Sequence, residues 1–165
     1  MTSKTDLRPY GPFAEDISKI LFSEELIQSR IREMGQQISE DYAGKNPVMV
    51  GVLRGVLFFM ADLLRTIRIP LEIDILAVSN YSTESRNQGF VRLDKDLDIP
   101  IRGRHVLFIE DVIDTGLTLN YLLGNLRTRL PASLEVCVLF DKAAKRLIDI
   151  PVKYKGFDRP DQFVV

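Results

Sequence analysis

The feature that most constrains this chain is the alternation of apolar runs with amphipathic ones. Val48–Leu53 (VMVGVL) is apolar without a break, the pattern of a strand covered on both faces. His105–Ile109, ending in an acidic turn at Glu110–Gly116, and Leu134–Phe140 read as strands of the same kind. Helical patterns lie before and between them. Ser23 is placed to cap a helix whose first turn holds Glu24 and Glu25, where carboxylates suit the helix dipole. Leu26, Ile27, Ile31, Met34, Ile38 and Tyr42 then recur at three- and four-residue spacing, with Gly44 and Asn46-Pro47 as the stop. Val56–Ile67 keeps the same period and ends before Pro70; Leu117–Leu130 runs up to Pro131. Leu71–Val78 alternates and predicts a strand, and Val91–Leu93 and Val152–Tyr154 predict short ones. Ser79–Phe90 is polar and predicts a long mobile loop.

Strands that alternate with helices need crossover connections. The order therefore predicts an α/β fold with a mostly parallel central sheet and helices on both faces. In such sheets ligands sit beyond the carboxyl ends of the strands. Arg54-Gly55, Glu110–Thr118 and Asp141-Lys142 all fall at such ends. A length of 165 residues predicts a single domain, able to bury a core without a disulfide or structural metal. The only cysteine, Cys137, rules out an intrachain disulfide and reads as a small buried hydrophobe. His105 reads as structural, with no metal-ligand partner in the pattern. Lys145-Arg146 reads as a solvated cationic pair. Lys and Arg total 22 against 23 Asp and Glu, a net charge of −1, which gives no electrostatic footprint for nucleic acid. The most apolar stretch, Val48–Ala61, is interrupted by Arg54 and too short to span a bilayer. Met1–Phe13 holds no apolar run of the signal-peptide kind, so a soluble cytoplasmic protein is expected.

Chemistry concentrates in Val106–Thr118, VLFIEDVIDTGLT. An apolar strand runs into Glu110 and Asp111, then Asp114, then Thr-Gly-Leu-Thr opening a helix. Backbone N–H groups at a helix N-terminus, a glycine that permits close approach and two threonine hydroxyls make a seat for phosphate. Carboxylates placed just before that seat would repel the phosphate unless something intervenes. A sugar with vicinal hydroxyls or Mg²⁺ serves, because carboxylates accept hydrogen bonds from hydroxyls and hold an ion's waters. The residue types thus point to a phosphorylated sugar with Mg²⁺. There is no Gly-Lys-[Ser/Thr], so this is not a P-loop, and it lacks the three glycines of a dinucleotide fingerprint.

Val106–Thr118 resembles the 5-phosphoribosyl-1-pyrophosphate motif of the type I phosphoribosyltransferases, and the chain is most similar to the hypoxanthine (hypoxanthine-guanine) branch. The resemblance runs from about Ser23 to Val165 and includes GVLRG (51–55), the loop from VSNY (78–81) to Gly89, KDLD (95–98), LFDK (139–142) and GFDRPDQFVV (156–165). It implies a type I phosphoribosyltransferase-like fold of one domain, with a small hood built from about residues 1–22 and 143–165. Glu110 and Asp111 would hold the ribose hydroxyls and organise Mg²⁺; Asp114 would face the purine N7 as general acid/base. Thr115, Gly116, Leu117 and Thr118 would cradle the 5′-phosphate. Leu53, Arg54 and Gly55 would form the pyrophosphate loop, which in this family often contains a non-proline cis peptide. Lys142 would donate to the purine 6-oxo group, Phe163 would stack on the base and Val164 would offer backbone groups to its edge. Asn80 and Tyr81 would belong to a lid that closes to exclude water.

The activity so implied is purine salvage: transfer of the phosphoribosyl group to hypoxanthine, and to guanine, giving IMP or GMP and pyrophosphate. A xanthine- or guanine-preferring enzyme on the same fold is one alternative. A nucleotide-sensing, RNA-binding regulator of the same fold is another, although it should show a basic face that the charge pattern lacks. Relatives assemble as dimers or tetramers, so a homo-oligomer is expected. Arg54 stands where many relatives have Lys, Val56 where Gly or Ser is frequent, and Asn80 where Ser is usual. Relatives continue past Phe163-Val164-Val165 with a Gly-Tyr-Gly-like segment, a metal-binding Asp and an Arg near the pyrophosphate; the chain is expected to be cut short of such a tail, the alternative being that it makes do with fewer metal ligands.

Overall fold

The computed structural model describes residues 11, 12, 17, 19–81 and 90–158, with backbone only at 80, 81, 90 and 91. In chain order the elements are α1 (Glu24–Asp41), β1 (Val48–Leu53), α2 (Val56–Thr66), β2 (Glu72–Tyr81) and β3 (Phe90–Lys95). They continue with β4 (His105–Ile113), α3 (Leu117–Arg127), β5 (Ser133–Asp141), a short 3-10 turn at Ala143–Lys145 and β6 (Tyr154–Asp158). The strands form one six-stranded sheet in the order β3-β2-β1-β4-β5-β6. All neighbours run parallel except β2 and β3, which form an antiparallel ribbon at one edge.

The side-chain period of two sorts the apolar runs onto two cores. Met49, Leu107, Ile109, Cys137 and Leu139 point to one face, where α1 and α2 cover them with Ile31, Met34, Ile38, Phe59, Met60 and Leu63. Val48, Val50, Val106, Phe108, Val136 and Val138 point to the other, under Leu119, Leu122, Leu123 and Leu126 of α3. Glycines let the layers close: a Cβ on Gly51 would lie 2.7 Å from the Met60 sulfur. Ser23 caps α1 as expected, its hydroxyl accepting from the Leu26 N–H at 3.3 Å. Cys137 is fully buried, and burial pushes its thiol pKa well up. His105 bonds Ser133 through Nδ1 at 2.8 Å, a structural role.

Several boundaries differ from expectation. The acidic segment expected as a turn from Glu110 is strand as far as Ile113, because β4 keeps pairing with β5 at Glu110↔Val138, Val112↔Phe140 and Ile113↔Asp141. Ser79, Asn80, Tyr81 and Phe90 are not loop: Ser79↔Arg92, Asn80↔Val91 and Tyr81↔Phe90 extend the β2–β3 ribbon. Helix α3 stops at Arg127, before Leu130, which takes φ 55°. The last strand is Tyr154–Asp158 rather than Val152–Tyr154, and it forms the sheet's second edge within the segment assigned to the hood. No helix among the described residues is long and apolar enough to cross a membrane.

Candidate active site

β1, β4 and β5 are adjacent and parallel, so their carboxyl ends share one rim of the sheet. That rim gathers Arg54-Gly55, Glu110–Thr118 and Asp141-Lys142, as the element order predicted. A cleft of about 220 Å³ opens there on the α3 side, lined by Glu110, Asp114, Thr115, Gly116 and Thr118 among others. Its apolar floor is Val52, Val112, Ile113, Leu119 and Leu122. Sequence reasoning missed these floor residues, although strand alternation through Val112 and the helical spacing of Leu119 and Leu122 mark them.

Gly116 turns the chain from β4 into α3 with φ 81° and ψ −3°, a left-handed conformation that favours glycine. A Cβ there would also press on Ile150 Cδ1 at 3.1 Å and the Ile148 carbonyl oxygen at 3.4 Å. The turn is fastened by the Leu147 N–H to the Thr115 carbonyl at 3.0 Å and the Asn120 N–H to the Gly116 carbonyl at 2.8 Å. The first turn of α3 carries no carboxylate, so its exposed N–H groups and positive dipole end meet the cleft without competition. Leu117 does not line the cleft; its side chain is half exposed and its N–H donates to Thr115 Oγ1 at 3.4 Å.

Glu110 and Asp111 are consecutive strand residues and so take opposite sides of the sheet's end. Glu110 faces the cleft. Asp111 turns toward α2, where its carboxylate lies against Gly55 so closely that a Cβ could not fit between them, and Oδ1 accepts from the Val112 N–H at 2.8 Å. The Asp111 contact is what joins the acidic strand to the Leu53–Arg54–Gly55 loop, and the Leu53–Arg54 peptide is cis, where the resemblance placed one. Burial, with the Asp111 charge beside it, pushes the Glu110 carboxyl up to about 8.

Lys142 follows β5 and is fixed to β4 by its N–H to the Ile113 carbonyl at 3.0 Å. Its ammonium is 3.4 Å from Asp114 Oδ2, so the expected acid/base group and the expected base-selecting donor face each other across the rim. Arg146 is not a solvated cation. It pairs with the buried Asp141 and is itself only 12% exposed, because a carboxylate taken out of water needs a partner. Asn80 and Tyr81 lie at the end of β2, and their side chains are outside the described residues; so are Phe163 and Val164. Among the described residues no three metal-ligating side chains converge.

The model of the phosphoribosyl transferase domain matches residues 18–165. A hypoxanthine-guanine phosphoribosyltransferase from Streptococcus thermophilus is 46% identical over 151 residues, 92% of this chain and 84% of the relative. A hypoxanthine-guanine-xanthine phosphoribosyltransferase from Tritrichomonas foetus is 44% identical over 155 residues, 93% of this chain and 84% of the relative. Among solved structures, a hypoxanthine phosphoribosyltransferase from Staphylococcus aureus superposes with a TM-score of 0.85 at 41% identity, over 90% of this chain and 81% of that one.

Proposed function

The chain belongs to the phosphoribosyltransferases, and from that premise we propose that it transfers the 5-phosphoribosyl group from 5-phosphoribosyl-1-pyrophosphate to hypoxanthine, and to guanine. The single observation that carries the reading is the cleft at the end of β4, where Glu110, Asp114 and the Thr115–Thr118 turn converge beside the Lys142 ammonium. The 5′-phosphate sits on the N-terminus of α3 and the threonine hydroxyls. The ribose hydroxyls meet Glu110 and Asp111, and the pyrophosphate meets the Leu53–Arg54–Gly55 loop. The purine lies over the rim with its 6-oxo group at Lys142 and N7 at Asp114, and Phe163 and Val164 complete its pocket. Lys142 favours 6-oxopurines because an ammonium donates and cannot accept, so it leaves an amino group unmatched.

A purine nitrogen bonds to the anomeric carbon as the carbon–oxygen bond to pyrophosphate breaks, and the bonding pair departs with pyrophosphate. Positive charge that builds on the ribose ring is met by the carboxylates beneath it. Asp114 takes the proton that the base gives up. The donor set suits Mg²⁺, which binds through one or two carboxylates with waters and substrate oxygens filling the remaining positions. Glu110 and Asp111 are such a pair, and the raised Glu110 carboxyl marks a place where negative charge is poorly compensated. When bound there, Mg²⁺ supplies neutralisation of the pyrophosphate charge. The Asn80–Tyr81 end of the ribbon belongs to the lid in this reading, and the chain works in the cytoplasm as a dimer or tetramer.

The test is a purine panel. With phosphoribosyl pyrophosphate and Mg²⁺, hypoxanthine and guanine turn over and adenine does not. A preference for xanthine would move the chain to the alternative branch, and tight RNA binding without any turnover would replace the enzyme reading by the regulator.

A further inference from the structure

Asp141 ends β5 opposite Ile113, and its side chain is 5% exposed. A carboxylate buried this far requires a cation and hydrogen bonds. Arg146 approaches both oxygens: Nε donates to Oδ1 at 3.0 Å, and Nη2 stands 2.9 Å from Oδ2 as an ion pair without a hydrogen bond. The third guanidinium nitrogen, Nη1, donates to the Ile150 carbonyl at 2.7 Å. Nε and Nη1 of Arg146 are thereby hydrogen-bonded inside the protein, while the buried Nη2 makes no hydrogen bond and is held by the charge of Asp141 alone. Lys155 is the other cation in reach, 3.9 Å from Oδ2, but it is turned to Asp158 at 2.6 Å.

Lys142 is the residue next to Asp141. Its ammonium stands 3.4 Å from Asp114 Oδ2, a loose contact that a carbonyl acceptor can share. A lysine on a flexible stem follows the strongest nearby negative charge, and a bare Asp141 carboxylate would be that charge. We propose that Arg146 is a positioning residue for base selection: by taking both oxygens of Asp141 it leaves the Lys142 ammonium to the rim, where the purine is read. The proposal rests on the phosphoribosyltransferase reading given above. It adds a residue that acts through Lys142 rather than on substrate, and Arg146 sits in that role because the 3-10 turn Ala143–Lys145 folds it back onto the strand end it has just left.

The experiment is a double-mutant cycle in steady-state kinetics. Arg146→Gln should raise the KM for hypoxanthine by about tenfold while the KM for phosphoribosyl pyrophosphate stays within about twofold. In a Lys142→Ala background the same change should add less than about twofold, because the residue it acts through is gone. Adding Asp141→Asn to Arg146→Gln should restore most of the hypoxanthine KM, since no competing carboxylate remains. If Arg146→Gln does not fold, Arg146→Lys, which keeps the charge and loses the planar guanidinium, carries the same cycle with a smaller rise of about threefold. A rise in KM for phosphoribosyl pyrophosphate, or an effect undiminished in the Lys142→Ala background, would overturn the proposal. Absence of turnover by the wild type would overturn the reading beneath it as well.

Discussion

At the scale of the residue, the site is defined by what each carboxylate faces. Asp114 is half exposed at the rim beside the Lys142 ammonium, where a bound base can reach it. Asp114→Asn should lower turnover by about 10²–10⁴ with the affinity for phosphoribosyl pyrophosphate largely kept; an unchanged rate would remove Asp114 from acid/base work. Glu110 behaves oppositely. Its carboxyl is pushed up to about 8 from an ordinary 4.5, so the folded chain keeps a proton that the unfolded chain has released. The native state then binds more protons than the unfolded one between those values, and the stability of the free protein falls as pH rises from about 4.5 to about 8. Glu110→Gln should abolish that decline, a difference of the order of a few kcal/mol at the alkaline end, read from thermal midpoints of both proteins across pH. Equal slopes in the two proteins would show that Glu110 ionises normally. The acids were legible in the sequence as a cluster. Their division between two faces was not, because the residues read as a turn and only pairing with β5 makes them strand.

At the scale of the element, the β2–β3 ribbon depends on a buried carboxylate. Asp74 on β2 accepts the N–H groups of Asp98 and Ile99 at 2.8 Å each, and Lys95 reaches it at 3.4 Å. Burial works to raise the Asp74 carboxyl, but the N–H donors of Ile99, Ile75 and Asp98 and the Lys95 charge outweigh it and hold it below the usual carboxylate range. A depressed folded pKa stabilises the protein above the unfolded value, near 3.9, and the contribution is lost as pH falls through the folded one. Asp74→Asn should cost about 1–3 kcal/mol at neutral pH and flatten the acid limb of the stability curve, as denaturant titrations at pH 3 to 7 would show. A variant as stable as the wild type would mean that the turn after β3 holds itself. The sequence singled out Lys95–Asp98 as a family segment, yet the partner that anchors it lies 24 residues away from Asp98, a separation that no local pattern reports. The Arg146–Asp141 ion pair was hidden for a different reason: two charges five apart near a strand end look like solvated surface until the turn between them is built.

At the scale of the whole molecule, the alternation of apolar and amphipathic runs carried most of the fold, since strands covered on both faces leave an unmistakable composition. Met49 and Val50 illustrate why: both are fully buried, one under α2 and one under α3. The shared rim of β1, β4 and β5 followed from strand order alone. Edges were harder, because β3 and β6 are short and each pairs with a single neighbour in the sheet, so their pairing is decided by that neighbour rather than by their own residues. The central claim is that this rim performs phosphoribosyl transfer, and its most direct test is product stoichiometry. With phosphoribosyl pyrophosphate, Mg²⁺ and hypoxanthine, IMP and pyrophosphate should appear together in equal amounts, and neither should form when the purine is left out. Pyrophosphate released without a purine, or no product at all, would contradict the account.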